Sequence, residues 1–279
     1  MPGRAWHDDG TKRAGMTTKA IFITGGGSGI GRAVAERFAR EGWRIGLADV
    51  NAKGLTETAA LLPAEMSDTY IMDVRDRDSW KSDLDDFTSK TGGRLDVLFN
   101  NAGIGTGGPI TEMSFEDLDR VVQINLVGVL NGAKIGHAYL AKTPGSCLLN
   151  TASASAIYGT SGLSVYSATK FAVRSLTEAL DGEWYGDGIK VRDLIPAFID
   201  TPLLQMPVDG SNRNIRESVT AAGLELSSAA DVADAAWNAV HGDAVHTYVG
   251  KTAFRMKFAA RWMPGQLRKM MRRGIGSKD

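Results

Sequence analysis

The sequence predicts one α/β domain, a doubly wound parallel sheet of seven strands with helices on both faces. Three observations lead there. Short apolar runs rich in β-formers alternate with longer segments of helical periodicity, an order that gives a parallel sheet with right-handed crossovers. The first of these runs passes directly into a glycine-rich string and then a helix. The 279 residues carry no formal net charge and are 43% apolar, enough for one large core. Neither a nucleic-acid-binding protein nor a disordered chain has this balance.

Residues 1–15 are polar and lack an apolar segment, so they read as a disordered leader rather than a secretory signal, with Met16 as an alternative start. Ala20-Ile-Phe-Ile-Thr24 is the first strand. Gly25-Gly-Gly-Ser-Gly-Ile-Gly31 turns it into a helix that starts near Arg32. Glycines in this place let the backbone approach a pyrophosphate, and the helix N-terminus offers unpaired N–H groups and a favourable dipole. Gly25, Ser28, Gly29, Ile30 and Gly31 are therefore candidate dinucleotide contacts. The second strand, 44–48, ends in Asp49, about twenty residues past the loop, as an acid that binds ribose hydroxyls should. Its charge repels a 2′-phosphate, and Ser28 stands where a basic residue would otherwise meet that phosphate. NAD is expected over NADP. The same Asp49 also suits an N-cap for a helix beginning near Asn51.

A third strand, 69–72, ends at Asp73-Val74, whose carboxylate can bond an adenine amino group. A helix over 76–89 stops before Gly92-Gly93, and 95–99 forms the fourth strand. In Asn100-Asn-Ala-Gly103 the small residues let a flat cofactor pass close to the backbone, which makes Asn101, Ala102 and Gly103 candidates as well. Ser114 and Asp117 suit the start of a helix over 115–142. Asn125 inside it is either structural or a site where the helix widens and holds a water.

The fifth strand, 147–151, is followed by Ser153, placed where ligand-binding groups gather in an open α/β sheet. Tyr166 and Lys170 share one face of the next helix at i, i+4. A nearby ammonium favours the phenolate, so Tyr166 can exchange a proton near neutral pH. An incidental surface pair has the same spacing, and only the company of Ser153 raises it above that. A sixth strand, 190–195, is closed by Pro196. Thr201-Pro202 then leads into 203–223, which has the composition of a lid. A helix over 231–240 and a seventh strand, 247–249, complete the domain at about residue 250. Cys147 is the only cysteine and sits in an apolar strand, so it reads as a small buried hydrophobe in a reducing cytoplasm. No apolar stretch approaches the ~18 residues of a membrane span. No metal site is expected.

Taken together, Thr24-Gly-Gly-Gly-Ser-Gly-Ile-Gly31, Asn100-Asn-Ala-Gly103, Asn125, Ser153 and Tyr166-Ser-Ala-Thr-Lys170 resemble the short-chain dehydrogenase/reductase family, over roughly residues 19–249. The resemblance implies a Rossmann fold and a tetrad. Tyr166 would be the acid/base and Ser153 would position the substrate oxygen. Lys170 would lower the tyrosine pKa and bind the nicotinamide ribose, and Asn125 would hold a water in the proton relay. It further implies that Asp49 selects NAD, that Asp73 and Val74 contact adenine, and that Pro196, Ile199 and Thr201 lie at the nicotinamide end. The implied activity interconverts a secondary alcohol and a ketone, in a homodimer or homotetramer. Ala156, Ile157, Tyr158, Leu163, Leu203, Leu204 and Met206 suggest a bulky or apolar substrate. The rival readings are an inactive NAD(H)-binding sensor or scaffold and an epimerase or dehydratase, though the chain has no room for the larger substrate domain of the latter. One departure is Ala197 after Pro196, where the family often has glycine.

The other departure is a basic amphipathic extension, residues 251–279. From 252 onward it holds eight basic residues against Asp279 alone. Pro264-Gly265 divides it into two short helices. Its apolar side is expected to pack on its own domain or a partner subunit, near the rim of the substrate cleft, in preference to an anionic membrane surface.

Overall fold

The computed structural model describes residues 18–205, 214–221 and 223–272. The expected leader, Met206 and the end of the tail lie outside these described residues. In chain order the sheet strands are β1 (Ala20–Thr24), β2 (Arg44–Asp49), β3 (Ser67–Ile71), β4 (Val97–Asn100), β5 (Cys147–Thr151), β6 (Lys190–Pro196) and β9 (His246–Val249). All pair in parallel, in the order β3-β2-β1-β4-β5-β6-β9. The order reverses between β1 and β4. In an open sheet that switch point opens a crevice at the carboxyl ends of the strands.

The central strands read as continuous apolar runs because both faces of the sheet are covered. Ile21 and Ile23 of β1, Val97 and Phe99 of β4, and Leu149 of β5 face one core, closed by α1 (Gly29–Ala39), α2 (Ala52–Ala59) and α8 (Ala229–His241). The alternate residues Phe22, Leu98 and Leu148 face the other, closed by α3 (Arg77–Lys90), α5 (Gly128–Leu140) and α6 (Ser164–Glu183). Burial on both sides follows from the two-residue period of a strand. Cys147 is buried within the first core, and burial pushes its thiol up to about 12.

Local chemistry fixes the helix starts. Asn51 caps α2 by accepting from the Gly54 N–H, Asp76 caps α3, and Ser228 with Asp231 forms a capping box on α8. The long helix expected over 115–142 is instead α4 (Phe115–Val122), a π-helical turn over Gln123–Val127, and α5. Asn125 lies in that widened turn. Two short strands, β7 (Phe198–Ile199) and β8 (Leu226–Ser227), pair with each other beyond the main sheet. In the stretch expected to form a lid, the described residues include a 3-10 turn at Pro202–Gln205 and α7 (Ile215–Ala221).

The tail folds as α9 (Lys251–Trp262) and α10 (Pro264–Arg272), which meet at Met263. Ala253 and Met256 bury themselves against Ala154, with Ile157, Tyr158 and Ala197 alongside, and Leu267 is buried on α10. The larger apolar residues do otherwise. Phe254, Phe258 and Trp262 are 58%, 59% and 67% exposed, so of the packing expected on its own domain or a partner subunit, its own domain receives the smaller side chains.

Candidate active site

The crevice at the switch point gathers most of the residues singled out in the sequence. Thr24 ends β1 and locks it to the end of β4: its hydroxyl donates to the Phe99 carbonyl and accepts from the N–H groups of Asn101 (3.0 Å) and Ala102 (3.1 Å). Asn101 extends this brace. Its Nδ2 donates to the Thr24 carbonyl (3.0 Å), and its Oδ1 accepts from Thr151 on β5 (3.2 Å). The loop between β1 and α1 is thus held from two strands.

Glycine is required in that loop for space. A Cβ on Gly31 would stand 2.1 Å from the Gly25 carbonyl oxygen. Gly25 has φ +68° and lies against Asn101 and Ala102, so it too excludes a side chain. Ser28 precedes α1 in extended conformation, and its side chain makes no capping bond. The first-turn N–H groups, at Gly29, Ile30 and Gly31, have no intrahelical partner and remain available to an anion. Across from them, Thr201 packs against Gly29: a Cβ there would be 3.2 Å from its methyl. Thr201 donates to the Ile199 carbonyl (3.3 Å), Ile199 is buried, and Pro196 closes β6 beneath them.

Asp49 is not the cap of α2. Its Oδ2 accepts from the Gly27 N–H (3.0 Å) and its Oδ1 from the Asn51 N–H (2.9 Å), which sets the carboxylate at the floor of the glycine loop. A basic group does stand nearby, from just outside the loop. Arg32 donates to the Gly27 carbonyl (2.7 Å), to Thr58 (3.0 Å) and to Glu57 (3.1 Å). Its position directly after Gly31, within one turn of the loop, was the available signal. Asp73 is engaged as well. The Arg75 guanidinium holds its carboxyl below the usual carboxylate range through contacts of 2.6 to 3.0 Å, so Arg75 shares the group expected at adenine. Val74 is buried, and its carbonyl accepts from Trp80 (2.9 Å) and Asn131 (3.0 Å).

The four tetrad positions come from two helical segments and one strand end. Ser153 follows β5 and begins a 3-10 turn, its hydroxyl accepting from the Ser155 N–H (3.1 Å). Tyr166 and Lys170 sit one turn apart on α6, with the Lys170 Nζ 5.7 Å from the centre of the Tyr166 ring. Lys170 is only 4% exposed and donates to the Thr151 carbonyl (2.8 Å). Asn125 is fully buried and clamps the chain just past Gly103: its Oδ1 accepts from the Ile104 N–H and its Nδ2 donates to the Ile104 carbonyl, both at 2.8 Å. A Cβ on Gly103 would lie 3.2 Å from the Asn125 oxygen and 3.7 Å from Lys170 Nζ. Gly103 therefore keeps a gap open among these groups.

One electrostatic expectation is reversed. Burial pushes the Tyr166 phenol up, and a hydrogen bond with Ser153 only partly offsets this. Burial also brings the Lys170 ammonium down to about 8, and its Nζ donates to the Thr151 carbonyl. At neutral pH the site holds a neutral phenol beside a serine hydroxyl.

Of the apolar residues expected to line a pocket, Ala156 is fully buried in a core cluster and is a packing residue. Ile157, Tyr158 and Leu163 are partly exposed, Leu204 is buried, and the Leu203 side chain and Met206 fall outside the described parts. Sequence reasoning also left out Thr24, whose hydroxyl joins the two strand ends.

A family model described as short chain dehydrogenase matches residues 19–210. The chain is 36% identical over 183 residues to the meso-2,3-butanediol dehydrogenase of Serratia marcescens, covering 66% of this chain and 72% of that one. It is 35% identical over 195 residues to the levodione reductase of Leifsonia aquatica, covering 68% and 73%. A short chain dehydrogenase/reductase from Burkholderia phymatum, solved in complex with NAD, superposes with a TM-score of 0.78 over 94% of this chain and 97% of that one, at 25% identity.

Proposed function

We propose that this chain, which belongs to the short-chain dehydrogenase family, is an NAD(H)-dependent oxidoreductase that interconverts a secondary alcohol and a ketone, with Tyr166 as general acid and base. One observation carries the reading: Ser153, Tyr166, Lys170 and Asn125 converge beside a glycine cradle in which side chains do not fit. A dinucleotide suits the residues present. The uncapped α1 terminus would meet a pyrophosphate and Asp49 would face ribose hydroxyls, while the gap at Gly103 would admit a flat ring next to Lys170.

When bound, the nicotinamide supplies the hydride chemistry. The chain does the rest. Ser153 donates to the substrate oxygen and holds it within reach of the Tyr166 hydroxyl. Tyr166 gives its proton to that oxygen during ketone reduction and takes it back during alcohol oxidation. Lys170, held at the Thr151 carbonyl, would anchor a ribose hydroxyl and link Tyr166 towards the buried amide of Asn125. Ile157, Tyr158 and Leu163 give the substrate side an apolar character, which favours a bulky or apolar alcohol. A cytoplasmic homodimer or homotetramer belongs to the same reading; Leu130 on α5 and Phe171 on α6 are each 41% exposed and offer an apolar contact.

Tyr166 titrates above its ordinary value, and this gives the pH dependence a sign. Reduction needs the phenol and oxidation needs the phenolate. Accordingly kcat/KM for alcohol oxidation should climb as pH rises from about 6 to about 9, while that for ketone reduction stays level or falls. Profiles measured in both directions check this. Oxidation fastest at low pH would assign the proton transfer to another group.

Cofactor choice follows from Asp49 at the loop floor and from Arg32 being held by Gly27, Thr58 and Glu57. NAD should give the higher kcat/KM. Asp49→Ala should narrow the gap with NADP by about tenfold or more, because a like-charge clash is removed and Arg32 is left near the 2′ position. The same assay on the unaltered protein tests the function itself. Supplying NADH deuterated at the transferring position should place deuterium on the carbinol carbon of the product alcohol, and its absence from that carbon would remove direct hydride transfer from the account.

A further inference from the structure

The outer side of α9 carries a surface that the reaction does not use. At ~100° per residue, Phe254, Phe258 and Trp262 fall within about 80° of one another, on the side opposite the buried Ala253 and Met256. Met263 and Met270 extend the exposed apolar area onto α10. Basic residues border the aromatic stripe, Arg255 on one edge and Arg261 on the other. Residues 251–272 contain seven basic and no acidic side chains, all seven of the basic ones exposed. Among the described residues none of these seven has a carboxylate within ion-pair distance. Many cations elsewhere are paired with carboxylates, among them Arg32 with Glu57, Arg44 with Asp68 and Arg94 with Asp96.

We propose that this face docks the protein on an anionic lipid bilayer, with α9 in the plane of the surface, the aromatic stripe among the acyl chains and the flanking cations at the headgroup phosphates. The arrangement suits such a surface because aromatic rings settle at the boundary between apolar and polar layers, and long basic side chains reach outward to the phosphates. The helix is already mounted. Ala253 and Met256 fix it on Ala154, Leu267 fixes α10, and the Phe254 ring leans on Tyr248 at 5.8 Å, so docking needs no coupled folding. A second copy of this chain is a poorer occupant. A two-fold interface sets the same patch against itself, here seven unpaired cations against seven. No helix among the described residues is long and apolar enough to cross a membrane, so the contact is peripheral.

The test is flotation of the full chain with phosphatidylglycerol vesicles and with phosphatidylcholine vesicles. The protein should rise with the anionic vesicles only, and raising the salt should release it. A variant carrying Phe254→Ser, Phe258→Ser and Trp262→Ser, and another carrying Arg255→Gln, Arg261→Gln and Lys269→Gln, should each bind the anionic vesicles more than about tenfold more weakly. Both should keep the NADH affinity and sedimentation mass of the parent, which separates lost docking from lost folding. The proposal is overturned if the full chain ignores anionic vesicles or if the aromatic variant still binds them like the parent. It is also overturned if the aromatic substitutions break an oligomer without changing flotation, which would give the stripe to a second copy. Preferential binding of a single-stranded oligonucleotide that prevents flotation would likewise assign the face to nucleic acid.

Discussion

Tyr166→Phe should lower kcat for alcohol oxidation by about 100-fold or more, the ordinary contribution of a positioned general base, and leave NADH binding close to that of the parent. The phenyl ring takes the place of the phenol ring on α6, and Lys170 keeps its hydrogen bond to the Thr151 carbonyl. What disappears is the hydroxyl that stands beside Ser153 and carries the proton. Removing it should act on the chemical step with little effect on ground-state binding, so kcat and kcat/KM fall together. Steady-state kinetics and an NADH fluorescence titration separate the two effects. Retention of more than about a tenth of the activity would assign the proton to another group.

Gly31→Ala should cripple cofactor binding for a steric reason. The added methyl would sit 2.1 Å from the Gly25 carbonyl oxygen, 2.8 Å from the Gly25 carbonyl carbon and 3.0 Å from Asn101 Nδ2, and the two closest atoms are backbone. Either α1 or the loop must shift, and strain of this kind costs about 1–3 kcal/mol. A shift also moves the first-turn N–H groups and disturbs the Asn101 brace between β1 and β5. NADH affinity should therefore drop by about tenfold or more, with a lower melting temperature. Gly186→Ala is the internal control, since a Cβ there meets nothing within 4 Å. Undiminished NADH affinity in the Gly31 variant would mean that the loop is not the dinucleotide cradle.

Much of the fold was legible because both faces of the sheet are buried. The apolar runs that mark β1, β4 and β5 carry alternating residues into two separate cores, so they stand out from the helices by length and by their β-branched and aromatic content. Helix starts were legible where a cap defines them, as at Ser114 and near Asn51. Asn125 gave warning of the widened turn, a polar side chain in a helix that the sequence otherwise left unbroken. The β7–β8 pair escaped notice because two residues a side leave no period to read.

Within the site, order and spacing pointed to which residues meet in the crevice. Their mutual effects were a different matter. The i, i+4 spacing of Tyr166 and Lys170 suggested a cation that lowers the phenol. Spacing carries no information on burial, and burial decides the direction here for both groups. The partners of Arg32 and Asp73 were hidden for a related reason, since the side-chain direction of an exposed residue leaves no trace in composition. In the tail, interleaved aromatic and basic residues made an amphipathic element plain, but only the packing of Ala253 and Met256 distinguishes the inner side from the outer.

The most direct test of the central claim is to incubate the purified protein with NAD and a panel of secondary alcohols, small and bulky, and to follow NADH absorbance beside the Tyr166→Phe variant. The account requires NADH to form with at least one alcohol, in amounts matched by the corresponding ketone, and to form at least about 100-fold more slowly with the variant. NADH binding without turnover on any alcohol or ketone, or equal rates for the two proteins, would contradict it and leave a nucleotide-binding protein of this fold in place of the enzyme.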